Sequence, residues 1–491
     1  MVVRGSVTRR RAHYRNKFLT FIRHRRAIIP RYHQATLFDH PPITAYHRRA
    51  GCLQSQGGRC TIRSFSFPQP NFQFYLRRSA DGLLDWSRLE PWRRRGLTMF
   101  LLDGLAVIIV MSFASTYVPL YALAMGATPA EIGLLSSATS LGVIGGSALS
   151  ARLVRLFRST KRVVVYCARV WEAASYLLLL AIPCFFAGPA AVVVLIAVYA
   201  LRTLIGESGV PAWAAFVPGL VPIHIRGRFM SLRSVLKMLA MMLIIPAAGA
   251  AITALGGYPL GYQVTFGAML VLGLAAANFF RQIPEGDGPP IPPQGERGGV
   301  HWRGAFAAFS LGMMVWTLGT ATAAPFYVVF MTRDLGLDAR AIGLLTAVST
   351  GSQLVGFLLF GPQVDRRGNR GALIGCALVL AAQPLGWLLV RQWTHILPLY
   401  ALSGLASAGM NLASLNMLLE LSPKESRASH AGAYYSALAA ATAVAPLLGG
   451  WLFAGWGFAA AAWAGGAGGL AGAAILAALL GRAARRADRD A

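Results

Sequence analysis

Twelve apolar runs fill most of the chain after residue 96, at 97–122, 131–153, 163–186, 189–217, 229–255, 259–281, 304–330, 340–361, 371–390, 396–421, 430–454 and 457–480. Each reaches or passes the roughly 20 residues that carry a helix across a ~30 Å hydrocarbon core. Inside lipid every backbone amide must bond within the protein, which leaves only helices and closed barrels. The runs are continuous and lack the ten-residue alternation of an outer-membrane barrel. Charged residues make up only 13% of the sequence, against about 25% in soluble chains. The reading is an all-α integral membrane protein of twelve transmembrane helices.

The runs repeat. Gly126-x6-Gly133-Leu-Leu returns as Gly336-x6-Gly343-Leu-Leu, Pro222-x3-Arg226 as Pro423-x3-Arg427, and Pro246-x-x-Gly249 as Pro446-x-x-Gly449. The offsets, 210, 201 and 200, are nearly constant. A Pro/Gly-rich stretch, 282–303, separates the copies and reads as a linker. The expected organisation is a six-helix bundle over 96–281, the linker, a second six-helix bundle over 304–482, and a short basic tail over 483–491.

Residues 1–95 hold 20 of the 46 Lys and Arg against 4 acidic residues, and no span-length apolar run. Three readings compete: a disordered basic arm against anionic lipid headgroups, an over-extended gene start, and a nucleic-acid arm or organelle presequence. Zinc-finger and RNA-binding signatures are absent, so no nucleic acid is expected. The five cysteines form no C-x-x-C, and neither a metal site nor a disulfide framework is implied. Basic residues crowd loops 2–3, 4–5, 8–9 and 10–11 and the C-terminus, whereas loops 1–2, 3–4, 5–6 and 11–12 have none; Arg333 and Arg340 around loop 7–8 and Arg391 in loop 9–10 are the exceptions. This bias puts both termini in the cytoplasm.

Between the eighth and ninth runs lies Gly361-Pro-Gln-Val-Asp-Arg-Arg-Gly-Asn-Arg370. Its pattern, G-x-x-x-D-R-x-G-x-R, resembles the loop signature of the major facilitator superfamily of secondary transporters, with Gln363 where that family has Leu. The resemblance covers about 97–482. It implies two parallel, pseudo-symmetric six-helix bundles with a substrate site between them near mid-membrane. Arg202-Thr-Leu-Ile-Gly206 resembles the family's span-4 signature R-x-x-x-G, whose Arg serves proton coupling or substrate contact. Ala445-Pro-Leu-Leu-Gly-Gly450 resembles its antiporter signature, but in span 11, where a proline kink and small-residue packing explain it. Pro211-Ala-Trp213 with Pro222-x3-Arg-Gly-Arg228-x4-Arg233 resembles a bacterial branch of the family.

Charges within spans are costly and invite a functional reading. They gather in the first half: Asp103, Arg169, Glu172, Arg202 and Glu207. By helical rise Arg202 lies about 20 Å from one membrane face and Asp103 about 9 Å from the other, in a common layer. Arg202, Asp103 and Glu207 are therefore expected to form a protonation-sensitive cluster for coupling or substrate contact. Arg169 and Glu172, at i and i+3, are expected to pair with each other. Gly361, Asp365, Arg366, Gly368 and Arg370 are expected to gate. Asp365 would latch onto Arg226, Arg228 or Arg233 at the start of span 5 in the outward-facing state. Gln353, Asn411, Trp213, Trp316, Tyr121 and Tyr327 are candidate cavity residues.

Walker A, H-E-x-x-H and G-x-S-x-G patterns are absent. The expectation is not an enzyme but a monomeric transporter of a small organic solute, without cofactor, in the inner or plasma membrane bilayer. Protons would drive it by rocking of the two halves. A cavity poor in charge ranks drug-like efflux ahead of sugar or metabolite uptake. A membrane sensor or scaffold that keeps the fold is the alternative.

Overall fold

The computed structural model describes residues 90–284, 302, 304–423 and 426–490, with the side chains of 223, 224, 367, 428 and 481–490 set aside. The basic arm up to residue 89 and most of the 282–303 linker lie outside the described residues.

Twelve apolar helices result among the described residues. The first half holds α1 (Pro91–Ala124), α2 (Pro129–Phe157), α3 (Thr160–Phe185), α4 (Gly188–Leu220), α5 (Ile223–Ala254) and α6 (Leu260–Arg281). The second holds α7 (Gly304–Arg333), α8 (Ala339–Arg367), α9 (Asn369–Trp387) and α10 (Trp393–Leu421). The last helical stretch, Arg427–Asp490, changes direction at Gly457, whose φ of 79° is not helical. It divides there into α11 (427–456) and α12 (458–490), so the helices agree with the twelve expected runs.

Sequence sets the boundaries locally. A capping box opens α2: the Thr128 amide donates to Glu131 Oε2 at 2.7 Å, and the Glu131 amide donates to Thr128 Oγ1 at 3.3 Å. Asp338 caps α8 with its side chain alone, accepting from the Ala341 amide at 2.9 Å. Between α8 and α9 the structure corrects the sequence. Most of Gly361–Arg370 is helix rather than loop, and the turn is Gly368 alone, with φ +80°. Glycine accepts that conformation freely, so one residue reverses the chain.

The two halves meet along α2 against α11 and α5 against α8. The repeated glycines and prolines found in the sequence meet at these crossings. A Cβ on Gly133 would stand 2.5 Å from the Pro446 carbonyl oxygen, and one on Gly343 3.0 Å from the Pro246 Cα. At the same end, Asp338 accepts from Thr253 Oγ1 at 3.1 Å and Arg333 donates to the Ala127 carbonyl at 2.6 Å. These contacts seal the end that carries loops 1–2, 5–6, 7–8 and 11–12. They reach inward as far as Gly351 against Met242, about 18 Å along α8 from Ala339.

Core packing follows the same split. One buried apolar cluster at the sealed end joins both halves, with Phe113, Tyr117 and Ile245 packed into the same core as Phe326, Ile342 and Trp387. Toward the Arg-rich end the core separates into one cluster around Phe100, Phe229 and Phe280 and another around Phe309, Leu373 and Tyr434. Among the described residues, the halves share one core at the Arg-poor end, where they close on each other, and keep separate cores toward the Arg-rich end.

Candidate functional site

The intramembrane charges form two ion-pair groups, not the expected single cluster. Their arrangement begins with α3, which contains a π-helical turn, Tyr166–Val170. Such a turn takes in one extra residue and rotates the helix beyond it by about 100°. Arg169 and Glu172 thereby leave the common face that a regular helix would give them. Arg169 turns to α1 and donates from Nε to Asp103 Oδ1 at 2.7 Å and from Nη2 to Oδ2 at 3.2 Å. Glu172 turns to α4 and accepts from Arg202 Nη2 at 2.6 Å. The intrahelical Arg169–Glu172 pair read from the sequence is replaced by two pairs between helices.

Asp103 is fully buried, and both its oxygens are engaged by a two-pronged guanidinium. Arg233 of α5 approaches the same carboxylate at 3.9 Å and stacks over Phe100 and Trp213. Gly104 makes room: a Cβ there would collide with the Arg233 guanidinium. Two expectations change. Asp103 stands with Arg169 and Arg233 instead of Arg202, and Arg233 is buried beside α1 instead of serving Asp365. Arg233 lies about 10 Å further along α5 than Arg226, too deep for a surface latch.

The second group is less saturated. Arg202 is buried, makes one bond to Glu172, and lies over the rings of Tyr176 and Tyr199 at 5.2 and 5.4 Å. Its Nε is buried without a hydrogen-bond partner. A cavity of about 200 Å³ opens here, lined by Arg169, Glu172, Tyr199, Arg202 and Glu207, with Ser115 at one side. Glu207 is half-buried and forms no hydrogen bond or ion pair among the described residues. An unpaired carboxylate beside an incompletely bonded Glu–Arg pair has room to exchange a proton and to redistribute the arginine's bonds.

Ser115 also borders a second cavity of about 290 Å³, between the halves below the sealed end. Its polar lining is entirely hydroxyl: Ser115, Thr116, Ser136, Tyr327, Thr346 and Tyr400. The Tyr327 ring stacks on Trp387 with centroids 4.7 Å apart and planes at 9°.

Of the candidate cavity residues, Tyr327 lines this space and the others do not. Tyr121 donates to the Leu179 carbonyl inside the first bundle and packs on Tyr262 and Phe266. Trp316 donates to the Ala377 carbonyl between α7 and α9, and Trp213 stacks on Phe100. Gln353 is half-buried and Asn411 exposed, and neither lines the two cavities. Aromatic residues within spans have packed where the bundle needed bulk. Among the gate residues, Asp365 and Arg366 are exposed, and Asp365 has no partner among the described residues. Arg226 donates to the Val221 carbonyl at 3.1 Å.

Two features escaped the sequence reading. Lys237, one turn beyond Arg233 in α5, is half-buried without hydrogen bond or ion pair among the described residues, within reach of the charges of Arg233, Asp103 and Arg169. Its signal was a Lys four residues after an Arg inside a predicted span. In the second half, Asn369 donates to Glu420 and accepts from Asn416 Nδ2 at 2.9 Å, tying the start of α9 to the end of α10. No sequence pattern marks that clasp.

Solved structures of the same architecture are numerous. A bacterial homologue of the iron transporter ferroportin, in an inward-facing state, is 17% identical with a TM-score of 0.61, covering 78% of this chain and 98% of its own. A nucleoside transporter is 14% identical with a TM-score of 0.60, over 79% and 99%. A D-xylose–proton symporter is 15% identical with a TM-score of 0.58, over 78% and 96%. At these identities the likeness is one of fold. No curated protein is similar in sequence. The family model of the Major Facilitator Superfamily matches residues 99–328 and 305–491. With the loop signature, the repeated halves and the twelve helices, that match establishes that the chain belongs to the Major Facilitator Superfamily.

Proposed function

We propose that the protein is a secondary active transporter that moves a small organic solute together with, or against, protons by alternating access. The observation that carries the reading is Glu207, which has no hydrogen bond or ion pair among the described residues and lines the same cavity as the Glu172–Arg202 pair. Protonating Glu207 or Glu172 changes the charge facing Arg202, and so the relative energy of the two access states. Asp103 belongs to a fixed brace between α1, α3 and α5, outside the proton path.

The positive-inside bias places the Arg-rich end, with both termini, in the cytoplasm of an inner or plasma membrane. The conformation, closed at the Arg-poor end, is then inward-facing. Asp365, exposed and without a partner among the described residues, is in the condition expected of an open cytoplasmic latch.

The test is the full-length chain in proteoliposomes with an internal pH dye, screened against a mixed solute library. A solute-triggered pH change lost in Glu207→Gln and in Arg202→Ala supports the reading, and its sign with respect to the gradient gives the direction. Solute flux without pH change removes the proton from it. A folded protein that moves nothing favours a membrane sensor or scaffold.

A further inference from the structure

The cavity between the halves differs in chemistry from the charged one beside it. Six hydroxyls and no charged side chain line it. Three of the hydroxyls are already committed as donors: Ser115 to the Ser112 carbonyl at 3.0 Å, Thr346 to the Ile342 carbonyl at 2.9 Å, and Tyr400 toward Met331 Sδ at 3.8 Å. Thr116, Ser136 and Tyr327 donate to nothing among the described residues. They come from α1, α2 and α7, so the free donors belong to both halves.

A charged solute group placed here would lose its water and meet no counter-ion, a cost of several kcal/mol. A hydroxyl or ether group meets both donors and acceptors. The Tyr327 ring is held flat by its stack on Trp387 and offers an apolar wall to the C–H face of a ring. The space equals about ten waters at ~30 Å³ each, the size of a monosaccharide and smaller than most amphipathic drugs.

We infer that the solute is an uncharged, hydroxyl-rich molecule of about monosaccharide size, bound between the halves by Thr116, Ser136 and Tyr327. The charged cavity across Ser115 is then kept for the proton. This rests on the reading of that cavity as the proton site, but its test is separable. Binding to the inter-half cavity is measurable without any gradient.

The experiment measures equilibrium binding to the purified full-length protein, by tryptophan fluorescence and thermal shift, with sets of ligands matched in size and differing in charge. Glucose, gluconate and glucosamine form one set; ribose, ribonate and 2-amino-2-deoxyribose form another. The neutral member of a set is expected to bind best. Losing one hydrogen bond, in Thr116→Val, Ser136→Ala or Tyr327→Phe, weakens it about 3- to 10-fold. Tyr327→Phe keeps the ring stack, so a loss there reports the hydroxyl and not the packing. Asn411→Ala, outside both cavities, leaves the neutral ligand's affinity within about twofold. A gluconate or glucosamine preference overturns the inference, as does failure of every neutral member to bind. Neutral binding without proton movement would sink the coupling proposal and leave this one standing.

Discussion

The Glu172 carboxylate accepts from Arg202 at 2.6 Å, across the gap between α3 and α4. The bond is single, the Arg202 Nε beside it is unpaired, and both residues are buried. Removing one partner of a buried pair strands the other and costs about 3–5 kcal/mol. Arg202→Ala is therefore expected to lower the thermal unfolding midpoint clearly. The double variant Glu172→Gln/Arg202→Gln, with no stranded charge, is expected to recover most of that loss and still move no protons. Thermal unfolding and the pH-dye assay, run on the same preparations, check both expectations. A double variant that keeps proton movement would rule out the pair as the coupling element.

The Asp103–Arg169 pair has the opposite character. Both carboxylate oxygens are bonded, and Arg233 and Lys237 add positive charge nearby. Asp103→Asn leaves three cations around a neutral amide, so folded yield is expected to fall sharply. The protein that does fold should keep its proton-to-solute ratio. An Asp103→Asn protein of normal stability with an altered ratio would show that Asp103 acts in transport instead.

Gly104 supplies an independent handle on the same brace. A side chain at this position occupies the space of the Arg233 guanidinium, so Gly104→Leu is expected to destabilise by about 1–3 kcal/mol through overpacking and charge displacement. Gly104→Leu/Arg233→Met, which fills the space with an apolar chain, should be more stable than Gly104→Leu alone. Equal stability of the two would mean that Arg233 does not occupy the space left by Gly104.

Much of this architecture is legible in the sequence, and the site only in part. Twelve spans, the duplication and the matched Gly133/Gly343 and Pro246/Pro446 marks follow from hydropathy and spacing, because lipid permits so few backbone solutions. The identity of the charged residues is equally plain, since each is expensive. Their pairing is not. Whether Arg169 meets Glu172 or Asp103 depends on a π-turn at Tyr166–Val170 that no residue type announces. Whether an aromatic such as Trp316 or Tyr327 packs or lines a cavity depends on helix rotation within the bundle. Asn369, Asn416 and Glu420 come together from two helices 47 and 51 residues apart in sequence, a distance at which local pattern carries no information.

Asp365 gives a prediction about the state not seen here. It is exposed and has no partner among the described residues in the form closed at the Arg-poor end, so Asp365→Asn should leave that form undisturbed. A carboxylate that latches onto the start of α5 stabilises only the outward-facing form, by about 1–3 kcal/mol for a charge-assisted bond. A reporter cysteine at Gln353, with the native cysteines replaced, is expected to label faster from the cytoplasmic side in Asp365→Asn. Unchanged labelling would leave Asp365 as a carboxylate that orders only its own helix end.

The crossings of α2 with α11 and of α5 with α8 set the energy of closure at the other end. A Cβ on Gly133 would stand 2.5 Å from the Pro446 carbonyl oxygen, and one on Gly343 2.5 Å from the Tyr117 hydroxyl and 3.0 Å from the Pro246 Cα, so a side chain at either forces its neighbours to shift. Valine at either position should push the helices apart at the sealed end at a cost of about 1–3 kcal/mol. That energy shifts the balance of access states by about 5- to 150-fold, toward the outward-facing form. Distances between spin labels on the outer ends of α1 and α7 are expected to lengthen in Gly133→Val and in Gly343→Val. Gly375→Val is the control, because a Cβ there meets nothing within 4 Å, and its distances should match the parent's. Lengthening in the control as well would assign the effect to general loosening. Unchanged distances in Gly133→Val and Gly343→Val would show that the seal lies elsewhere than at the repeated glycines.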